Sequence, residues 1–293
     1  MMQYLAHSAK ADIPPQSYEA HVKGVYRRAE RYADEAERYS LRCNVKLKTV
    51  VLRSALWHDL GKLDDENQAV LHDIANRQRH LPWNHVDAGS AALISNKNLY
   101  SALVVYSHHT GLPDMEAESP RGDQMFRDER PAVRNRVDDT IAEMLKRHTQ
   151  TISSDNFELE EPYEADQALF LKIALSCLAD ADHTDTAVAY GQVPEKEELP
   201  QLRAAERLEL LNRNVSKFRK KDERSRLRSE MYIACRDAKT SSSFTICDSP
   251  VGSGKTMSVM AHLLKQAVDR KLRRIFVVLP YTSIIQQSVD VYR

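Results

Sequence analysis

Paired cysteines, an excess of charge of either sign, long apolar runs and, before residue 240, alternating strand patterns are all missing from this sequence. Lys+Arg and Asp+Glu both number 42, so whole-chain charge gives no argument for a nucleic-acid partner, and any basic surface must be local. Cys43, Cys177, Cys235 and Cys247 stand far apart with no Cys-x-x-Cys. That excludes a disulfide framework and reads as reduced thiols in a cytoplasmic protein. The N-terminus has no apolar signal core, and no run approaches the length needed to cross a bilayer, so no membrane contact is expected. The length, 293 residues, suffices for one large domain or two ordinary ones.

What is present is a set of helical stripes with polar groups at their ends. Residues 1–16 read as an irregular lead-in closed by Pro14-Pro15, and Ser17 offers an N-cap for a helix from Tyr18 to Tyr39. Its stripe runs through Val22, Val25, Ala29, Tyr32, Ala33 and Ala36, and His21, one turn before Val25, faces or borders it. Alone, that histidine reads as a hydrogen-bonded core residue as readily as a ligand. A second helix, 45–57, hands over Trp57-His58-Asp59-Leu60-Gly61-Lys62. Adjacent side chains on a helix diverge by about 100°, so His58 and Asp59 can aim at one point only where the helix stops, and Gly61 supplies a stop. Asp64-Asp65-Glu66 reads as a solvated turn or a helix start. Helices are expected over 67–78, from His85, over Leu99–Tyr106, over 136–148 and over 166–182. Small residues at 88–92 permit close packing.

The Leu99 helix ends in Ser107-His108-His109-Thr110-Gly111, and the 166–182 helix ends in Asp180-Ala181-Asp182-His183-Thr184-Asp185. Residues 112–135, rich in Pro, Gly and charge, read as a long and mobile excursion near the His108-His109 end. Lys217 to Arg228 carries seven basic and two acidic residues. It reads either as a solvated helical linker or as a phosphate-contacting strip. From residue 244 the period shortens. Phe244–Cys247 and Ile275–Leu279 are expected as buried strands, with an apolar helix to Asp269 between them, a βαβ unit of a parallel sheet.

Two constellations carry chemistry. Ser249-Pro250-Val251-Gly252-Ser253-Gly254-Lys255-Thr256 resembles a P-loop: backbone N–H groups to cradle phosphates, Lys255 for the β/γ oxygens of ATP, Thr256 for magnesium. Ser249 stands where glycine or alanine is usual. The chain stops at Arg293, before an acidic Walker-B strand, so nucleotide binding by Gly252, Ser253, Gly254, Lys255 and Thr256 is expected without motor activity. The other constellation is His21, His58, Asp59, His85, His108, His109 and Asp182. Five imidazoles and two carboxylates fill two metal sites with Asp59 between them, a set suited to iron, manganese, nickel or cobalt. Lys62 reads as a group for phosphate charge or as a surface lysine. Asp87 reads as a hydrogen-bond partner of His85 or as a helix N-terminal acid.

The order His … His-Asp … His … His-His … Asp resembles the HD phosphohydrolase superfamily. Joined to Ala6-His7-Ser8, Ala181-Asp182-x-x-Asp-Thr, the P-loop and Leu279-Pro280-Tyr281-Thr282-Ser283-Ile284-Ile285-x-Gln287, it resembles more narrowly the CRISPR-associated HD nuclease–helicases of type I systems. The resemblance implies a mainly α chain in three parts. These are an HD metal-dependent nuclease domain over 1–200, a basic helical linker over 201–240, and over 241–293 the front of a RecA-like superfamily-two helicase domain. It implies cleavage of single-stranded DNA in antiviral defence beside a crRNA-guided surveillance complex. It puts one metal on His21, His58, Asp59 and Asp182, and the other on Asp59, His85, His108 and His109, with Asp180 as the alternative to Asp182. Two other readings stay open: an HD phosphohydrolase acting on nucleotides, and a non-catalytic fragment that binds the crRNA-guided complex.

Overall fold

A computed structural model describes residues 3–10, 12–38, 47–73, 80–152, 167–195, 201–218, 222–239 and 244–279, together with 281, 285 and 289. The chain is mainly helical and divides into two units, 1–197 and 198–293.

The first unit opens with a short antiparallel pair, β1 (Leu5–His7) and β2 (Gln16–Ser17), where the sequence reads as irregular. Three residues against two lack the length for an alternating pattern, which is why the pair leaves no periodic signal. Helix α1 (Tyr18–Arg38) starts at the expected cap: Ser17 Oγ accepts the Ala20 N–H at 3.1 Å. Its buried stripe is Tyr18, His21, Val22, Val25, Ala29 and Ala33, so of the two placements read for His21 it takes the inward one.

Helix α2 (Leu47–Trp57) ends at His58-Asp59, followed by a 3-10 turn over Leu60–Leu63. Gly61 follows the end of α2 with a negative φ, so it makes no left-handed turn. It is there because the His85 backbone passes against it: Gly61 N–H donates to His85 O at 3.0 Å, and a Cβ would overlap His85. That contact sets His85 over the end of α2. Helix α3 (Asp65–His72) is capped by Asp64 Oδ1, which accepts from the Glu66 and Asn67 N–H groups. The acidic run is therefore a helix start, and residues 74–78 of the expected helix lie outside the described residues.

Helices α4 (Val86–Ser95) and α5 (Leu99–Ser107) pack on one another, and α5 packs on α2. The segment read as a mobile excursion is tied down instead. It forms α6 (Met115–Glu118) and a 3-10 stretch over Ser119–Gln124, and buried Glu118 accepts the Phe126 N–H. Buried Arg127 grips Asp87 of α4 through Nε and Nη2. Asp87 is thus the helix N-terminal acid that one of its two readings gives, buried and held by Arg127. Helix α7 (Pro131–Ile152) is longer than the sequence pattern gives, with Val133, Val137, Met144, His148 and Ile152 inward.

Helix α8 (Gln167–Ala189) does not stop at residue 182. Its inward stripe Phe170, Ala174, Cys177, Leu178 and Ala181 continues through Asp182 and Asp185. The stop is Gly191, left-handed at φ 64°, with the Gln192 N–H donating to Ala187 O and the Gly191 N–H to Val188 O. Helix α8 packs on α1, α2 and α5, which brings both aspartates against His21.

The second unit holds α9 (Ala204–Lys217), α10 (Glu223–Asp237) and α11 (Lys255–Asp269), with α9 and α10 both on α11. Helices α9 and α10, from the stretch read as a basic helical linker, lie in this unit. Tyr232 is buried in it and donates to Asn212 Oδ1 at 2.9 Å. Among the described residues neither Phe244–Cys247 nor Ile275–Leu279 forms a strand, and Ile246, Phe276 and Val278 are exposed. The expected parallel sheet is absent from these residues. A parallel strand needs cover on both faces, and the exposed Phe244, Ile246, Phe276 and Val278 lack it.

Candidate metal centre

Seven side chains from five helices and their ends meet in the first unit. The buried His21 ring is the hub. Its Nε2 lies 3.1 Å from Asp59 Oδ2, 3.2 Å from Asp182 Oδ1 and 3.3 Å from His58 Nε2. Its Nδ1 lies 3.0 Å from Asp185 Oδ2. The last turn of α2 aims His58 by tying Nδ1 to Ala55 O at 2.9 Å. That bond uses the Nδ1 proton, so in neutral His58 the Nε2 lone pair points at the cluster. The end of α5 repeats the device: His108 Nδ1 bonds Val105 O at 2.6 Å, and its Nε2 is buried with no hydrogen-bond partner.

His85 is the N-cap residue of α4 but gives no side-chain cap; Asn84 Oδ1 accepts the Val86 N–H instead. The imidazole is left for the site, with Nε2 at 3.0 Å from His109 Nε2 and 3.5 Å from Asp59 Oδ1. The donor atoms of His21, His58 and Asp182 gather within 4.8 Å of one another, as do those of His85, His108 and His109. Asp59 lies between the two groups, Oδ2 toward the first and Oδ1 toward the second. Lys62 is buried too, its Nζ 2.6 Å from Asp59 Oδ2, so it is not a surface lysine.

The electrostatics follow from that crowding. Burial alone disfavours a proton on His21, but hydrogen bonds to Asp182, Asp185 and Asp59 outweigh it and raise its pKa to about 10. Burial pushes the Asp59 carboxyl up. Charge at His58 and Lys62, with hydrogen bonds from His21 and His58, overcomes this and holds it well below the usual carboxylate range. Asp182 is held down in the same way, mainly by His21. Burial keeps His85 and His109 below the ordinary histidine value and His108 at about 3, so these three rings are neutral at pH 7.

Protonated His21 presents Nε2–H to Asp59 and Asp182 and Nδ1–H to Asp185, while the neutral His108 ring buries an Nε2 lone pair with no partner and His85 Nε2 lies 3.5 Å from Asp59 Oδ1. Such a set of converging lone pairs is stable around cations and strained without them. The donor set, mixed imidazole and carboxylate, fits divalent transition metals.

The structure brings together every residue of the predicted histidine–aspartate set. It separates Asp180, which is exposed on the far side of α8, from Asp182, which is buried at the cluster. Asp185 and His7 lie in the centre but are absent from the predicted set. Asp185 follows Asp182 by one helical turn, so an unbroken α8 stripe was the signal that pointed to it. His7 stacks edge-on against His21 with ring centroids 4.7 Å apart, and its Nε2 lies 3.2 Å from Thr186 Oγ1. A cleft of about 990 Å³ opens onto the cluster, lined among others by His7, Lys10, Lys62, His109, Arg130 and Tyr190.

In the second unit, the glycine-rich stretch is a turn leading into α11, with Gly252 and Gly254 at φ 81° and 90°. Lys255 folds back, Nζ donating to Ser249 O at 2.6 Å, and Ser249 Oγ lies 2.8 Å from Ser253 Oγ. Thr256 is exposed. From the basic stretch of α10, Arg228 Nε donates to Gly252 O at 2.8 Å.

Among the described residues no helix is long and apolar enough to cross a membrane. Compared with family models and with curated proteins, the chain matches none.

Proposed function

We propose that the first unit is an HD-type metal-dependent phosphodiesterase that cuts single-stranded DNA. The observation that carries this reading is Asp59, one oxygen toward each of two histidine groups, in a cluster whose His85, His109 and Asp182 line an open cleft. Divalent metals bound there supply Lewis acidity and a water of lowered pKa. His21, His58, Asp59 and Asp182 hold one ion, and Asp59, His85, His108 and His109 the other. Lys62 sets a positive charge beside Asp59, where it faces a non-bridging phosphate oxygen. Lys10 and Arg130 on the cleft wall meet neighbouring phosphates.

In the same reading, residues 241–293 are the front of a RecA-like helicase domain. Gly252, Ser253, Gly254, Lys255 and Thr256 there take ATP and magnesium once Lys255 leaves Ser249 O. The resemblance supplies the setting: cytoplasmic antiviral defence beside a crRNA-guided surveillance complex. A free-nucleotide phosphohydrolase is the rival reading.

The experiment is cleavage of circular single-stranded DNA by the purified chain with added manganese or nickel, and with nucleotides as competitors. Asp59→Ala is expected to lose cleavage at unchanged helical circular dichroism. Undiminished cleavage by that variant sinks the site, and preferential turnover of free nucleotides favours the rival.

A further inference from the structure

The proposed metal centre leaves one buried carboxylate without a task. Asp185 sits on the side of the His21 ring away from the other ligands. Its Oδ2 lies 3.0 Å from His21 Nδ1 and accepts from Gln16 Nε2 at 2.8 Å; its Oδ1 accepts from Arg28 Nε at 3.3 Å. These partners come from separate elements. Gln16 is on β2, Arg28 lies two turns beyond His21 on α1, and Asp185 lies one turn beyond Asp182 on α8. The backbone makes room for it. Gly24, one turn after His21, faces Asp185 so closely that a Cβ would overlap the carboxylate. Any other residue at 24 pushes Asp185 off the ring.

Resting on the metal-centre reading above, we propose that Asp185 is a positioning residue that fixes the orientation and tautomer of His21, and that Gly24 is the gap that admits it. A neutral imidazole carries one proton, and two carboxylates, Asp59 and Asp182, attract it to Nε2. A proton there occupies the place a cation needs. Asp185 pulls the proton to Nδ1, on the far side, and leaves the Nε2 lone pair facing the centre. Arg28 and Gln16 hold the carboxylate in place. Carboxylates that orient ligating histidines in this way act through the ligand, and their loss weakens metal binding by roughly 10–100-fold.

The test is a Mn2+ titration of the full chain, read from loss of the free-ion electron paramagnetic resonance signal. The wild type is expected to show two classes of site. Asp185→Asn weakens one class by roughly 10–100-fold and leaves the other, on His85, His108 and His109, unchanged. Gly24→Ala is expected to do the same without touching any ligand, and it decides the matter if Asp185→Asn does not fold. Asp180→Asn, on the exposed side of α8, serves as the control and keeps both classes. Two unchanged classes in a folded Asp185→Asn or Gly24→Ala protein overturn the assignment but leave the centre standing. Equal weakening of both classes also overturns it, because that is what general loosening gives. A wild type that binds no Mn2+ overturns the centre and the assignment together.

Discussion

The Lys62 ammonium lies 2.6 Å from Asp59 Oδ2, the same oxygen that faces His21 Nε2 at 3.1 Å. Both groups are buried, so the pair is little screened by solvent. Lys62 therefore competes with a cation for Asp59 and also offers charge to a substrate phosphate. Lys62→Ala should bind Mn2+ at least as tightly as the wild type while kcat/KM for DNA cleavage falls about 100-fold, the usual scale for removing one charge-stabilising donor. Isothermal titration alongside steady-state kinetics separates the two effects. Weaker metal binding with unchanged kcat would assign Lys62 to the ligand set instead.

Metal binding should release a proton from His21. Its pKa of about 10 means that the ring is charged at pH 7, and a cation on Nε2 must displace that proton. The sign follows directly: raising the pH below 10 removes the competitor, so apparent affinity rises, by about tenfold per pH unit for one proton released. Calorimetry in buffers of different ionisation enthalpy counts the proton. A pH-independent affinity between 6 and 8 would contradict the hub role of His21.

Acid should weaken the fold through His148. This residue is fully buried on α7, stacked on Trp57 with centroids 4.3 Å apart, its Nδ1 3.0 Å from the Tyr18 hydroxyl. Burial, with a smaller push from His58, lowers its pKa from 6.5 to about 4. The unfolded chain then binds more protons than the folded one between those values. Stability is lost as pH falls from 6.5 toward 4, by up to roughly 3 kcal/mol. Urea unfolding at pH 7 and pH 4.5 should show His148→Phe gaining on the wild type as pH drops. A constant gap between the two proteins would place the acid sensitivity elsewhere.

Arg127→Ala should destabilise the first unit by about 3–5 kcal/mol, because it leaves the buried Asp87 carboxylate without its bidentate partner. The double variant Arg127→Met/Asp87→Leu should recover much of that loss, since the orphaned charge goes with the arginine. Chemical denaturation of the two variants measures the difference, and a single variant as stable as the wild type removes the pair from the account of how residues 112–130 are held.

By itself the sequence determined the helices and the devices at their ends. The stripe of α1, the Ser17 cap, the break after Trp57 and the His108-His109 end of α5 are all local patterns, set by the helical period and by which residues satisfy free backbone groups. The same locality made the donor set legible, because each ligand is delivered by the end or the inward face of one helix. Where a pattern needs length it failed: β1 and β2 are too short to alternate, and the strand-like segments near 246 and 277 form no strand among the described residues.

Only the tertiary structure decided the rest. Asp182 rather than Asp180 reaches the centre because α8 continues to Gly191 and turns one face to α1. Asp185 meets His21 across 164 positions, and Arg127 meets Asp87 across 40. Gly61 and Gly24 matter for what passes beside them, His85 and Asp185, and not for the turns they make. Contacts of this kind leave no trace in a local window, since they depend on which helices pack together, and packing is settled by the whole buried surface at once.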